Sequence, residues 1–222
     1  KHTNLMKKVT KYFSFSILML IFSACNSNGQ TKSQKDLKMN LNPPKGKAVA
    51  AFAEGCFWCS EHVFEAVVGV DEAVSGYAGG TTINPTYDLV NTETTGHAES
   101  ILVYYDPKII SYKELVNVFF ASHDPTTKDQ QGPDRGNSYR SVLFYQNDAE
   151  KAIAMQAIRD ISKTKRFVKP LVTELQKLSA FYKAEDYHLD YIKQDTGNPY
   201  VKNVSLPRFE KFKKTYKGKL KG

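Results

Sequence analysis

The chain has 222 residues, of which 41% are hydrophobic and 12% aromatic, so we expect one folded domain with a sizeable core and exclude a disordered chain. The formal net charge of +8 would by itself fit a protein that binds nucleic acid. The positive charge lies in residues 1–47 and 208–222, however, and the mildly acidic middle leads us to expect no nucleic-acid partner.

Residues 6–25, MKKVTKYFSFSILMLIFSAC, have the layout of a secretory signal: a basic start, an apolar stretch and two small residues before Cys25. A cysteine at this place resembles the lipobox of bacterial lipoproteins, which implies a signal peptide over 1–25 and lipidation of Cys25. An uncleaved signal anchor is the alternative, but the apolar run is shorter than the ~20 residues that span a bilayer. We expect a lipoprotein on a membrane of the bacterial cell envelope, facing the periplasm.

The polar, lysine-rich segment 26–46 ends near Pro43-Pro44 and is typical of a flexible tether. The folded catalytic domain is predicted over 47–207. Residues 208–222 are predicted to form a basic C-terminal tail, and such tails are usually solvated or lie near anionic lipid.

Strand and helix signals intermingle in the predicted domain. The apolar run KAVAAFAE ends at Gly55 and predicts a buried strand, and the spacing of the apolar residues that follow predicts a helix from about Cys56. SYKELVNVFFASH opens with a capping box of Ser111 and Glu114, and DAEKAIAMQAIRDISKTK predicts a long helix capped by Asp148. VDEAVSGYA alternates before a Gly-rich turn, and further strands are predicted in HAESILVYYDP, SYRSVLFYQN and PLVTELQKL. This mixture predicts an α/β (α+β) domain around one main sheet.

Cys56 and Cys59 flank Phe57 and the single tryptophan, Trp58. The start of a helix favours a thiolate at Cys56, and residues three apart share one helix face, so the two sulfurs are within reach of a disulfide. A zinc site would need about four ligands, and no second pair of ligands is visible in the sequence. A structural disulfide across so short a loop would add little stability, and a thioredoxin-type carrier normally has its aromatic residue before the first cysteine. The spacing favours redox chemistry without naming a substrate.

The segment GCFWC, followed by Glu61, resembles the signature of methionine sulfoxide reductase A, MsrA, in the minority form with cysteine at the fifth place. Six further motifs occur in the order found in that family: SGYAGG with NPTY, TGHAE, DP after a strand, SHDPTT, QGPDRGNSYRS and YHLDYI. Together they extend over about residues 47–205. The resemblance implies a two-layer sandwich around one mixed sheet, with a ferredoxin-like core.

The family pattern also implies roles for individual residues. Cys56 would be the nucleophile and Glu99 the acid that protonates the departing oxygen, because a carboxyl buried among aromatic residues can stay protonated near neutral pH. The other matched positions would bind substrate: Phe57 and Trp58 as walls of a methyl pocket, Tyr87 and Tyr139 as hydroxyl donors, and Asp134 as a carboxylate of the same pocket. Tyr200 resembles a pocket aromatic in a less well matched segment. His62, His123 and His188 have no metal-ligand spacing and are expected to be structural.

The implied reaction reduces methionine S-sulfoxide, free or in oxidised proteins, and leaves a sulfenic acid on Cys56. Many relatives resolve that acid with cysteines in a C-terminal tail, but the last 25 residues of this chain contain none, so Cys59 is expected to form the Cys56–Cys59 disulfide. An exported thioredoxin-like protein is expected as reductant, with no metal or organic cofactor, and the chain is expected to be a monomer. A dithiol carrier and a non-catalytic binding module are the rival classes.

Overall fold

The computed structural model describes residues 37–164 and 166–222. The predicted signal with Cys25, and residues 26–36 of the predicted tether, lie outside the described residues. In the described part of the chain, no helix has both the length and the apolar character needed to cross a bilayer.

Eight strands are present in the described residues: β1 (Ala48–Glu54), β2 (Val70–Ala78), β3 (Ala98–Tyr105), β4 (Gln130–Gln131), β5 (Asp134–Arg135), β6 (Ser141–Tyr145), β7 (Glu174–Lys177) and β8 (Phe181–Lys183). Six of them form one sheet in the order β7-β6-β1-β3-β2-β8, while β4 and β5 form a separate ribbon. Within the sheet, β6 and β7 pair in parallel and the other pairs are antiparallel. The sheet is therefore mixed, as predicted.

The same residues form six α-helices: α1 (Phe57–Glu65), α2 (Tyr87–Asn91), α3 (Tyr112–Ser122), α4 (Asp148–Lys163), α5 (Tyr191–Gln194) and α6 (Leu206–Thr215). The chain order β1-α1-β2-β3-α3-β6, with the strands arranged β6-β1-β3-β2, is that of a ferredoxin-like core. The predicted two-layer α/β fold is confirmed.

Successive side chains of β1 point to opposite faces of the sheet, so this strand contributes to two apolar clusters. Phe52 faces α1 and α3, and its ring lies 4.9 Å from that of Phe64 and 5.9 Å from that of Phe119. Ala51 and Ala53 belong to a second apolar cluster on the opposite face. Because both faces of β1 are covered, almost all of its residues are apolar, which explains the continuous apolar run in the sequence.

The end of the predicted tether is part of the fold. The backbone N–H of Met39 donates to the carbonyl of Phe181 at 2.8 Å, and that of Lys183 donates to the carbonyl of Leu37 at 2.9 Å. Met39 and Leu41 pack against the second apolar cluster. Residues 37–46 therefore cover the sheet instead of serving as a free linker, because their few apolar side chains pack on the face that none of the described helices contributes to.

The domain boundary predicted at residue 207 is wrong. Leu206–Thr215 forms α6, preceded by a π-helical turn over Val201–Ser205, and Phe212 on α6 is fully buried. Further along, Leu220 pairs with Val67. The lysines of this segment lie mostly at exposed positions, while its aromatic residues pack on the core.

Two predicted helix starts can be compared with the structure. The capping box of Ser111 and Glu114 at α3 is present, with both reciprocal hydrogen bonds. The long helix α4 is capped by Asn147, whose Oδ1 accepts from the N–H of Glu150 at 2.9 Å, and Asp148 is its first helical residue. The cap was therefore predicted one residue too late.

Candidate active site

A tight turn places Cys56 at the N-cap of α1, directly after β1. Gly55 makes this turn with φ of +91°, and a Cβ at this position would lie 2.4 Å from Cβ of Gln131. A side chain is excluded both by the backbone conformation and by the lack of space. The turn therefore fixes Cys56 at the positive end of a helix.

Cys56 and Cys59 are free thiols in contact, with 6% and 2% of their surfaces exposed. Sγ of Cys59 lies 3.2 Å from Oγ of Ser205. The hydrogen bond from Cys56, and next the charge of Arg208, lower the pKa of Cys59 to about 6. Burial, followed by the hydrogen bond to Cys59, raises the pKa of Cys56 well above its usual range.

The negative charge of the substrate-free pair thus lies on Cys59, whereas the helix start predicts it on Cys56. Two hydrogen-bonded thiols share one charge near neutral pH, because the second ionisation is opposed by the first. The groups that stabilise an anion, Ser205 and Arg208, lie on the side of Cys59. On the side of Cys56, burial disfavours the thiolate, and Glu99 adds to this effect once its carboxyl is ionised.

Glu99 on β3 is 2% exposed and lies over the start of α1. Its Oε2 accepts a hydrogen bond of 3.0 Å from the backbone N–H of Phe57. Burial raises the pKa of Glu99 to about 8, against the effect of that bond. The carboxyl is therefore mostly protonated at neutral pH and able to donate a proton next to Cys56.

Aromatic rings surround the two thiols. The ring of Phe57 lies 6.4 Å from that of Trp58 and 6.4 Å from that of Tyr87, so the predicted pocket residues of two different motifs meet. Trp58 stacks on Tyr191 at 3.8 Å and meets the edge of Tyr200 at 6.0 Å. These contacts hold the indole in one orientation beside the cysteines.

Polar groups complete the cluster. The hydroxyl of Tyr139 is hydrogen-bonded to Glu99, and Tyr139 ends the 3₁₀ turn Asn137–Tyr139. Asp134 accepts a short hydrogen bond from the hydroxyl of Tyr200. The less well matched Tyr200 therefore lies beside the predicted Asp134 and Trp58.

Several residues at this site were not predicted from the sequence. Oε1 of Glu185 accepts from the backbone N–H of Tyr87, and its Oε2 accepts from the hydroxyl of Tyr77, both at 2.9 Å. His188, predicted to be structural, accepts a bond of 3.1 Å from Nε1 of Trp58, and its ring lies 4.9 Å from that of Phe57. His188 belongs to the matched motif YHLDYI, and Glu185 lies two residues before it. That motif is the signal that could have identified both residues.

The described residues contain no group of three or more His, Cys, Asp or Glu side chains arranged to hold a metal ion. Cys56 and Cys59 have each other, Ser205 and Glu99 as neighbours. The arrangement brings together a hydrogen-bonded dithiol, a protonated carboxyl and aromatic walls. Such a site can carry out thiol-based redox chemistry on a small group that needs a proton.

Comparison with known proteins gives concordant matches. Residues 48–220 match the sequence model of the family described as Peptide methionine sulfoxide reductase. The peptide methionine sulfoxide reductase MsrA of Saccharolobus solfataricus is 46% identical over 173 residues, which cover 78% of this chain and 97% of that protein. The MsrA of Methanosarcina mazei is 45% identical over 182 residues, covering 82% of this chain and 83% of that protein.

Solved structures are similar as well. Mxr1 from Saccharomyces cerevisiae in reduced form superposes with a TM-score of 0.66 at 31% identity, covering 70% of this chain and 90% of that one. Methionine sulfoxide reductase A of Corynebacterium diphtheriae gives 0.63 at 30% identity, covering 73% of this chain and 81% of that one.

Proposed function

The chain belongs to the peptide methionine sulfoxide reductase family and reduces methionine sulfoxide to methionine, and on that premise we propose which of its residues carry each step. Cys56 is the nucleophile, Glu99 the proton donor and Cys59 the resolving thiol. The observation that carries this assignment is the placement of a buried carboxyl, whose pKa is raised by that burial, beside a pair of free thiols.

In the first step, Cys56 Sγ attacks the sulfoxide sulfur while Glu99 gives its proton to the oxygen. The proton of Cys56 passes to the Cys59 thiolate, to which it is already hydrogen-bonded. The protonated oxygen then passes to Cys56 Sγ as the substrate's sulfur–oxygen bond and the new sulfur–sulfur bond break, so that methionine leaves and Cys56 becomes a sulfenic acid. Attack on the sulfur thus requires no base other than Cys59.

In the second step, Cys59 Sγ attacks the sulfenic sulfur and the oxygen leaves as water. The two protons of that water are those that Glu99 and Cys56 carried at the start. The product is the Cys56–Cys59 disulfide, and Glu99 is left ionised. The hydrogen bond between Cys56 and Cys59 in the reduced site supports this pairing.

The surrounding side chains orient the substrate. Tyr87 and Tyr139 donate hydrogen bonds to the sulfoxide oxygen, and Phe57 and Trp58 enclose the methyl group. Asp134, tied to Tyr200, limits the pocket on the side of Cys59. Binding oxygen and methyl on different sides favours one epimer, and the resemblance of these motifs assigns the S epimer.

A single turnover of the full chain without reductant tests the assignment. Each sulfoxide epimer is supplied separately, methionine is quantified, and the cysteines are mapped by mass spectrometry. We expect about one methionine per chain from the S epimer alone, with Cys56 joined to Cys59. Formation of methionine by Cys56→Ser would contradict the proposed nucleophile, and intact thiols after wild-type turnover would contradict the proposed resolver.

The reductant and the location are part of the same proposal. An exported thioredoxin-like dithiol protein regenerates the thiols, because the periplasm is kept oxidising and cannot reduce the disulfide by itself. The lipobox-like sequence before Cys25 supports a lipid anchor in the cell envelope. Fractionation of cells that produce the full chain or Cys25→Ser tests this, with membrane association expected for the first and its loss for the second. Equal partition of both would refute the anchor.

A further inference from the structure

The side chain of Arg208 is close enough to Cys59 to act on its charge, in a group that we term the Arg208 cluster: Glu54, Cys59, Ser122, Ser205 and Arg208. The guanidinium donates to Oε1 of Glu54 at 2.7 Å, to the backbone carbonyl of Glu54 at 3.0 Å, and to that of Ser122 at 2.8 Å. The side chain is only 12% exposed. Three bonds to fixed partners hold the cation in one place.

A buried cation is stable only when anionic partners compensate it. Glu54 is one such partner, but burial raises its pKa to about 7, so near neutral pH it is protonated about half the time. The second anion near Arg208 is the sulfur of Cys59, which raises the pKa of the guanidinium. Ser205, one helical turn before Arg208, lies 3.2 Å from that sulfur.

We propose that Arg208 and Ser205 are positioning residues that hold Cys59 as the thiolate of the pair, so that Cys59 is the sulfur expelled when the reductant opens the disulfide. The inference rests on the proposed function, since it requires Cys59 to be the resolving thiol. Among the described residues, the charged or titratable groups that act on Cys59 or respond to it are Cys56, Glu54, Glu99, Asp134, Tyr200 and Arg208. Arg208 is the one cation among them.

The reductive step follows from this charge distribution. A thiolate of the reductant attacks Cys56 Sγ, the Cys56–Cys59 bond breaks, and its electron pair stays on Cys59 Sγ beside Arg208 and Ser205. The second thiol of the reductant then attacks its own sulfur in the mixed disulfide and releases Cys56. The reductant leaves as a disulfide. A thiol of lower pKa leaves faster, and Cys56 is the more exposed sulfur of the reduced pair.

The rate of disulfide formation at a single pH would test this poorly. If the pKa of Cys59 rose from about 6 to an ordinary 8.5, its thiolate fraction at pH 7 would fall about 30-fold. The intrinsic nucleophilicity of the thiolate would rise about tenfold, so the two effects nearly cancel. The titration midpoint of Cys59 is the informative quantity.

The midpoint is measured in the full chain carrying Cys56→Ser, which keeps a hydroxyl donor toward Cys59. The ultraviolet absorbance of thiolate is followed against pH, and the curve of Cys56→Ser/Cys59→Ser is subtracted so that Cys25 cancels. In this background we expect Arg208→Met to raise the midpoint by about 1–3 pH units. Ser205→Ala should raise it less, and Glu54→Gln should lower it by removing a competitor for the cation. Lys214→Met, an exposed cation on the same helix, is the matched control and should change nothing.

A midpoint that stays the same in Arg208→Met, or moves equally in Lys214→Met, would overturn the inference. If circular dichroism shows that Arg208→Met is unfolded, the midpoint of Cys59 is measured in Arg208→Lys instead, and the opposite shift expected in Glu54→Gln provides the second test. The leaving sulfur is identified separately by treating the oxidised wild-type chain with glutathione, quenching with acid and mapping the mixed disulfide. Glutathione on Cys56 supports the inference, and glutathione on Cys59 refutes it. Failure of the proposed function would instead show in the wild-type single turnover, which does not depend on Arg208.

Discussion

Replacing Glu99 by glutamine removes the proposed proton donor and keeps the shape of the side chain. The pKa of about 8 means that roughly nine tenths of the Glu99 carboxyls are protonated at pH 7. A solvent-exposed glutamate would be protonated in about 0.3% of molecules at that pH. Burial between β3 and the start of α1 therefore increases the acid form about 300-fold.

We expect Glu99→Gln to slow methionine formation by about 10²–10⁴-fold, the usual contribution of a general acid. The amide oxygen can still accept the hydrogen bond from the N–H of Phe57, so the turn at Cys56 should keep its conformation. Loss of rate would then report the missing proton.

The assay is a rapid-quench single turnover across the pH range, with methionine as the readout. In the wild type the rate should rise as Cys59 ionises near pH 6 and fall above about pH 8 as Glu99 loses its proton. Glu99→Gln should lack the descending limb. Glu72→Gln, an exposed carboxyl on β2, is the control and should keep both limbs. A descending limb of unchanged position in Glu99→Gln would refute the assignment of the acid.

Three further outcomes are expected. Cys59→Ser should still release about one methionine per chain but accumulate a sulfenic acid on Cys56, which a dimedone adduct on that residue would detect; its absence would argue against Cys59 as resolver. Glu61 is buried, and its pKa is raised to about 8. Between about pH 4.5 and 8 the folded chain therefore keeps a proton on Glu61 that the unfolded chain has lost, and the stability of the fold decreases as the pH rises through that window. In urea unfolding, the free energy of unfolding of Glu61→Gln should fall less steeply with pH in that window than that of the wild type, by about 1.4 kcal/mol per pH unit. An unchanged slope would contradict the burial of a neutral carboxyl. Phe212→Ala on α6 should destabilise the chain by about 3–5 kcal/mol in the same experiment, whereas Lys214→Met should have little effect; equal effects would show that α6 is not part of the core.

The ferredoxin-like core was accessible from the sequence because its signals are local. The run from Ala48 ends at a glycine that only a turn explains, and Ser111 with Glu114 marks the start of α3. Strand β2 appeared only as an alternating segment before a Gly-rich turn. Strand order and pairing followed from the family resemblance, since the sequence pattern does not specify which strands are neighbours.

The C-terminal helix was missed because its charge hides its apolar positions. In RFEKFKKTY, Phe209 and Phe212 are three residues apart and separated by charged residues. Both pack on the core, where Phe212 stacks with Tyr216 at 5.1 Å. A lysine-rich segment of this kind has too few apolar residues to fold alone, so its helix depends on the surface already formed by α1 and α3.

The charge on the cysteines could not be predicted for a related reason. A helix start is visible in the local sequence and favours an anion at Cys56. Ser205 and Arg208, which move the charge to Cys59, are about 150 residues away in the chain and reach it through the fold. A pKa in a buried site is the sum of such contributions from several elements, and the sequence supplies only the local one.

The positions of Glu99 and Arg208 suggest why the proposed cycle can run in a buried site. A charge removed from water is costly unless it is compensated, so a reaction that changed the net charge of the site would be slow. In the proposed cycle Cys56, Cys59 and Glu99 together carry one negative charge at every stage. It begins on Cys59 beside Arg208 and ends on Glu99 once the two protons have left as water. A dithiol returns two electrons and two protons, which restores the Cys59 thiolate, the Cys56 thiol and the protonated Glu99. The charge therefore moves between the two ends of the site and never leaves it.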